Sequence, residues 1–483
     1  MSEIVKIKEF LKSEPLEKVA NPDSLPVEGL FHLFLPGILS EEDKQLLTEF
    51  FVYRYKGEKG LEEGAGEKFR DLMIVDSIMG GEFLPLVVSK LRQMNKYKRL
   101  SGEILTSEQF RQTLFNIVYD YRVRLDAKDL MILNAMCDDL FISIADIQKQ
   151  TNMSYKTALY RKKELEERCR LRVGTRLDYS KIGLSNLVVI VEGEAYVESP
   201  YLLSRQELLG VDSYTLFSIA VPSGAVSQVH KDFGKRFSKL WIWEVDGFEG
   251  SNSFGFYDAD KEDWSIDWDS WSLYLSNVLN KGWDKVIPQK KKIEEPNSLP
   301  EPPKKRKRIT TEDLKLIVEM LERADKPTLE LSKKLEYDMR AAEKTKNSLF
   351  EGGILLPFLS IEHIGLSESI LFIVESDMNT LNAFVVAVRE LPKAWIYWMK
   401  SLKGDNPPAL ACWLETPPGS ITPLERVVRQ NLRTLADYKL CFRSKQEGSN
   451  YPLPKLFDPQ TETWKWNPEM LRIYLKEGRD SKR

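Results

Sequence analysis

Cysteine and histidine are scarce in this chain of 483 residues. Four cysteines, Cys137, Cys169, Cys412 and Cys441, stand far apart with no C-x-x-C pair. That spacing excludes a zinc ribbon and a disulfide framework and leaves small buried thiols. Three histidines, His32, His230 and His363, occur singly, which excludes an H-E-x-x-H metal site and leaves little for a histidine general base. No apolar run approaches the roughly 18 residues of a membrane span. The first twenty residues carry Glu3, Lys6, Lys8, Glu9 and Lys12, without the apolar stretch and cleavage site of a secretory signal. Neither sign of charge dominates: 70 basic residues face 73 acidic ones, so any contact with nucleic acid must come from local clustering. A phosphate-binding G-x-x-x-x-G-K-[ST] and a nucleophile elbow are missing too. The expectation is a cytoplasmic chain with no cofactor, no metal, no membrane segment and no enzymatic activity.

Hydrophobic residues make up 42% of the chain and aromatics 11%, ample for packed cores. At roughly 150 residues per domain, about three to five units are expected. An internal repeat organises them. LDAKDLMILNAM from Leu125 matches ITTEDLKLIVEM from Ile309, and in that register Ser154 falls on Asp338 and Leu165 on Leu349. After a two-residue deletion, the IGLS of Ile182 to Ser185 meets that of Ile364 to Ser367, and an apolar strand ending in Ile-Val-Glu follows in both copies. P-S-G at Pro222 and P-P-G at Pro417 then mark turns in which glycine supplies a positive φ. Each copy closes on an aromatic segment, from Phe256 and from Leu456, whose tryptophans are expected to pack on the preceding sheet.

Within copy one, Asp126 with Asp129 opens a helix carrying Leu130, Leu133 and Met136 at helical spacing; Thr310 with Asp313 does the same in copy two, ahead of Leu314, Ile317 and Leu321. Ser143 with Asp146 opens a second short helix, and Asn152-Met153-Ser154 breaks it. Ser154 then caps a third helix that buries Ala158 and Leu165 and turns basic residues outward. Two short helices around a tight turn, the second one capped and basic, describe a helix-turn-helix. RCRLRVGTRLDYSKIG alternates charged and apolar residues as a half-exposed β-wing does. The candidate DNA-binding residues are Ser154, Tyr155, Lys156, Thr157, Tyr160, Arg161, Lys163, Arg170, Arg172 and Arg176 in copy one, with Arg340 and Lys344 in copy two. Copy two is less basic: Asp338 and Glu343 sit among its cations, and its wing has lost the arginines.

After each wing the pattern reads strand, helix, strand, strand, helix, strand, the split βαβ or ferredoxin-like order. Copy one is expected to supply its first helix from PYLLSRQELLG at Pro200. The open face of such a sheet calls for a partner sheet.

These motifs resemble the Lrp/AsnC family of prokaryotic feast/famine regulators. The resemblance is carried by L-D-x-x-D-x-x-I-L at Leu125, I-x-x-I at Ile144, S-x-x-T at Ser154, R-x-x-x-L at Arg161 and L-x-x-x-G-I-L at Leu349. It covers roughly 125 to 250 and 309 to 445, and it implies a winged helix reading DNA with a ligand-sensing and assembly domain behind it. Members of that family usually carry one copy per chain and dimerise, so two copies in one chain could pair their sheets as a pseudo-dimer. The glycine and aspartate that usually follow the first strand of the ligand domain are replaced here by Gly193-Glu194-Ala195 and Ser376-Asp377-Met378.

The expected fold class is therefore α+β: tandem winged helix-turn-helix domains, each followed by a ferredoxin-like βαββαβ domain, with an extra mainly helical N-terminal region. The boundaries are 1-120 for that region, 121-183 and 184-284 for copy one, 285-308 for a basic Pro-rich linker, and 309-365 and 366-483 for copy two. The expected function is transcription regulation, with double-stranded DNA as partner. Self-association through the sheets and a small-molecule effector are the further candidates. The alternative is a protein-protein adaptor of the transcription machinery. PPKKRKR at Pro302 is read as a phosphate-contacting linker rather than a nuclear import signal.

Overall fold

The computed structural model describes residues 37–56, 68–79, 83–210, 212–286, 309–402, 407–448 and 452–475. The linker and its PPKKRKR run lie outside the described residues. The chain divides into two compact units, residues 1–123 with 163–170, and residues 124–162 with 171–483.

Among the described residues the first unit holds α1 (Glu41–Lys56), α2 (Arg70–Met79), α3 (Phe83–Ser101) and α4 (Ser107–Asp120), with the end of a later helix. Ser40 opens α1 by accepting the Asp43 amide at 3.1 Å, satisfying one of the orphan donors of the first turn. Phe50 lies edge-on to Phe69 and Phe83, and Leu72, Val75, Val87, Leu91 and Leu114 are buried with them. At the far end Arg168 donates to the Tyr121 hydroxyl at 3.1 Å.

The second unit begins with α5 (Ala127–Asp138), α6 (Ile144–Thr151) and the start of α7 (Tyr155–Arg168). Asp126 and Asp129 form a reciprocal capping box at the start of α5. The strands of the first half are β1 (Arg172–Leu177), β2 (Leu184–Glu192), β3 (Ala195–Glu198), β4 (Leu202–Leu209), β5 (Ser213–Pro222) and β6 (Leu240–Asn252), with α8 (Val226–Gly234) between the last two. Its tail is a short hairpin, β7 (Tyr257–Asp258) and β8 (Asp263–Trp264), followed by α9 (Trp268–Lys281). The second half runs α10 (Thr311–Glu322), α11 (Thr328–Leu335), α12 (Met339–Glu351), β9 (Leu355–Ser360), β10 (Glu368–Glu375), α13 (Met378–Val388), β11 (Lys393–Ser401), β12 (Ala409–Thr416), α14 (Ile421–Leu432) and β13 (Asp437–Gly448). Its tail holds the hairpin β14 (Phe457–Asp458) and β15 (Thr463–Trp464), then β16 (Arg472–Leu475). Thr310 and Asp313 repeat the capping box at α10. Among the described residues no helix is long and apolar enough to cross a membrane.

Eight strands close into a barrel in the order β10-β12-β11-β6-β2-β5-β4-β13. Each half contributes four strands in one order, first beside third and fourth: β4-β5-β2-β6 and β11-β12-β10-β13. The halves meet at two seams, β6 against β11 and β4 against β13. Strands buried on both faces read as continuous apolar runs, which explains NLVVIVE and SILFIVE. Val188, Ile190, Leu371 and Ile373 fill the barrel interior with Trp243, Met399 and Cys441. Leu187, Val189 and Val191 face the opposite way, toward α8 and α10, while Ile370, Phe372 and Val374 face α13 and α14. The sheet face expected to need a partner is thus covered by the other half of the same chain.

Three sequence expectations change. Leu202–Leu209 is the strand β4, not a helix: its leucines, glutamine and glutamate suit a helix locally, but pairing with β5 and β13 decides the outcome. β1 is not a self-contained wing; it pairs antiparallel with β9 of the second half over six residues, Arg172↔Ser360 through Leu177↔Leu355. Within that ribbon Gly174 lies opposite Phe358, and a β carbon at Gly174 would come 2.5 Å from the phenyl ring.

The aromatic tails pack on the other half rather than on the sheet before them. The Trp264 indole N–H donates to the Ile364 carbonyl at 2.6 Å, and that of Trp464 to Ile182 at 2.7 Å. Each tail thereby grips the IGLS turn of the opposite half. Both turns hold their glycine, Gly183 and Gly365, at φ near +85, where a side chain would be strained. Of the two expected glycine turns before helices, only Gly419 has a positive φ. There Glu368 accepts the amides of Gly419, Ser420 and Ile421, capping α14 from a neighbouring strand.

Candidate nucleic-acid interface

Asn152, at φ 55, makes the left-handed turn between α6 and α7; Glu336, at φ 57, makes the same turn between α11 and α12. Ser154 accepts the Thr157 amide at 3.1 Å and shares a 2.8 Å hydrogen bond with its hydroxyl. Ser154 and Thr157 thus start the helix rather than stand free for a ligand. Asp338 accepts the Ala341 amide at 3.0 Å and does the same for α12.

Along α7, Ala158 and Leu165 are buried, while Tyr155, Leu159 and Tyr160 are 50%, 47% and 64% exposed and Lys156 is exposed beside them. Helical geometry puts residues 155, 156, 159 and 160 on one outward surface. Leu159 is not among the residues expected from the sequence, which were polar, aromatic or basic; its apolar body suits a thymine methyl as well as a packed neighbour. Arg340 and Lys344 are exposed one turn apart on α12.

Arg161 points elsewhere. Its guanidinium reaches Asp126 at 2.7 Å and Asp129 at 3.2 Å, tying α7 to the capping box of α5. It is a positioning residue. Burial pushes the Asp129 carboxyl up from the usual carboxylate range; the Asp126 amide and Arg161 oppose that, and the Asp126 charge adds to it. Burial acts on Asp126 in the same sense, but the Asp129 amide and Arg161 outweigh it and hold that carboxyl low. Arg161→Ala strands the Asp129 carboxylate beside Asp126, and the expected cost is about 1–3 kcal/mol of unfolding free energy. Because the folded-state value of Asp129 is raised, the penalty is present at neutral pH and is relieved as the pH falls through that value. Urea unfolding of wild type and variant at neutral and acidic pH checks both statements.

The strand arginines also have partners. Arg172 meets Glu362 at 3.4 Å. Arg176 donates to the Tyr397 hydroxyl and lies over the Phe248 and Tyr397 rings at 5.4 and 5.2 Å. Lys163 and Arg170 fall in the short segment that belongs to the first unit. There Lys163 pairs with Glu167 at 3.6 Å, and Arg170 adopts φ 48. The basic patch is thus narrower than the sequence suggested, because neighbours distant in the chain supply carboxylates and rings that spacing does not show. Among the described residues no three histidines, cysteines, aspartates or glutamates gather as a metal site.

Residues 125–168 match the family of winged helix-turn-helix DNA-binding domains, which supports a DNA-binding regulator in general terms. No curated protein matches the chain. Two solved structures do, the siroheme decarboxylase NirDL and the same enzyme in co-complex with an iron-uroporphyrin III analogue. Each is 12% identical, with 66% of this chain and 91% or 92% of theirs covered at a TM-score of 0.35. The expectation that the chain is no enzyme is corrected by this finding, since the solved structures it is similar to are those of an enzyme.

Proposed function

We propose that the protein is a DNA-binding transcription regulator of Lrp/AsnC-like build, with two winged helix-turn-helix units and two ferredoxin-like domains in tandem. The observation that carries this reading is the outward face of α7, where Tyr155, Lys156, Leu159 and Tyr160 stand clear beyond a capped helix start that Arg161 clamps in place. A helix so presented fits the major groove, about 12 Å wide. The β1–β9 ribbon ties the first reading unit to the second, where Arg340 and Lys344 supply phosphate contacts. The strand order of each half supports the ferredoxin-like reading, with both helices present in the second half and the short strand β3 in place of the first helix in the first half. Closure of the barrel within one chain supports an intramolecular pseudo-dimer in place of self-association through open sheet edges. In this reading double-stranded DNA is the partner and the nucleoid its place of work.

Electrophoretic mobility shift with genomic fragments tests the proposal. Alanine at Lys156, Arg340 and Lys344 together is expected to weaken all sequences alike and to lower the salt slope by about 0.9 for each phosphate no longer neutralised. Alanine at Tyr155 or Tyr160 should instead relax sequence preference. If no fragment shifts at moderate salt, or the triple variant binds as wild type does, the regulator reading fails and the adaptor reading takes its place.

A further inference from the structure

The caps of α7 and α12 put the two helices in one register. Ser154 accepts the Thr157 amide and Asp338 the Ala341 amide, so both helices start in the same way. Counted from those caps, Ala158 matches Ala342 and Leu165 matches Leu349, and every one of them is buried. The two helices therefore turn the same side inward. The first, second, fifth and sixth positions past the cap are left outward, and in both helices each residue there is exposed.

The chemistry on those positions is not shared. Only the second keeps its character, Lys156 in α7 and Arg340 in α12. Tyr155 is matched by Met339, Leu159 by Glu343 and Tyr160 by Lys344. The fifth position differs most, an apolar side chain in one helix and a carboxylate in the other. In the major groove an apolar side chain favours the thymine methyl, whereas a carboxylate accepts from the cytosine amino group and finds only acceptors on guanine.

Both faces lie in the second unit, that of α7 as far as Lys162. Within that unit the β1–β9 ribbon joins the strands that follow the two helices. The Phe141 ring, between α5 and α6, also lies edge-on to Phe350 of α12 at 5.5 Å. A dimer of identical chains shows DNA the same face twice and so reads an inverted repeat. Two unlike faces in one chain carry no such requirement.

We propose that the DNA site consists of two half-sites of unlike sequence, with a thymine opposite Leu159 of α7 and a cytosine opposite Glu343 of α12. The chain then lies on its site in one orientation only. Lys156 and Arg340 anchor the two helices to phosphate and choose no base. This inference rests on the DNA-binding reading and names the class of site that it serves.

Selection of the full chain on a random duplex library, with sequencing of the retained DNA, tests it. Wild type should retain two blocks that are not inverted copies of each other. Glu343→Gln, an exposed change of nearly the same shape, should turn the cytosine of one block into adenine, since an amide pairs with the N6 and N7 edge of adenine. The other block should stay as it was. In mobility shifts at one salt concentration, an inverted repeat of the α7 block should bind about fivefold or more weakly than the selected site, the scale of one misread base pair. Retention of an inverted repeat, of a single block, or of DNA without sequence preference overturns the proposal and leaves DNA binding intact. So does a cytosine that survives Glu343→Gln, or a base change in both blocks. If no DNA is retained at all, the regulator reading fails and the proposal falls with it.

Discussion

Trp271→Ala is expected to cost about 3–5 kcal/mol, the usual penalty for emptying a large buried aromatic site. Trp271 is 1% exposed and sits in the core formed by α9, α13 and α14, beside Leu275, Phe384 and Val385. Its indole N–H donates to the Ala387 carbonyl at 2.9 Å. The truncation leaves a void and removes the indole hydrogen bond to a carbonyl near the end of α13, which keeps the Glu390 amide at 3.3 Å, and α9 is the contact through which the first half's tail covers the second half's helices. Trp271→Phe, which keeps most of the apolar area and loses the hydrogen bond, should fall well short of the full cost. Urea denaturation of the two variants separates packing from hydrogen bonding; equal destabilisation would show that the void matters less than the missing hydrogen bond.

Cutting the chain between residues 287 and 308 should leave two pieces that stay together. They share both barrel seams, the β1–β9 ribbon and the exchanged tails, including the β16 pairing with β3. Residues 1–286 and 309–483, expressed together, are expected to co-elute in size-exclusion chromatography as one complex. Expressed alone, 309–483 exposes the unpaired edges of β11 and β13 and the uncovered faces of α13 and α14, and it should aggregate. A soluble, monomeric 309–483 fragment would show that the seams contribute little to its stability.

Local chemistry was legible in the sequence and long-range pairing was not. The capping boxes at Asp126 and Thr310 need only residues three apart, so reading along the chain finds them. The buried positions Ala158 and Leu165 follow from helical periodicity in the same way. β4 was not legible because its leucines, glutamine and glutamate suit a helix locally, and of the two strands that hold it, β5 follows at once but β13 lies more than 200 residues away. The tails misled for the same reason: an indole that bonds a carbonyl of the other half looks, in sequence, like any tryptophan after a strand. At the candidate interface, spacing showed which residues of α7 face outward. It could not show that Asp126 and Asp129, already employed as caps, also hold Arg161, or that Arg176 lies among the rings of Phe248 and Tyr397.

The Gly174–Phe358 contact is a lock with two unlike parts. Slide the ribbon by one residue and the phenyl ring confronts Val173 or Thr175, whose β carbon would occupy the space that the missing side chain leaves open. Neither strand could pair with its own twin on these terms, since two glycines would leave a gap and two phenylalanines would collide. Joining both strands in one polypeptide removes the demand, imposed by a two-fold axis, that every contact work against itself, and so lets one pair of residues set the register of the β1–β9 ribbon.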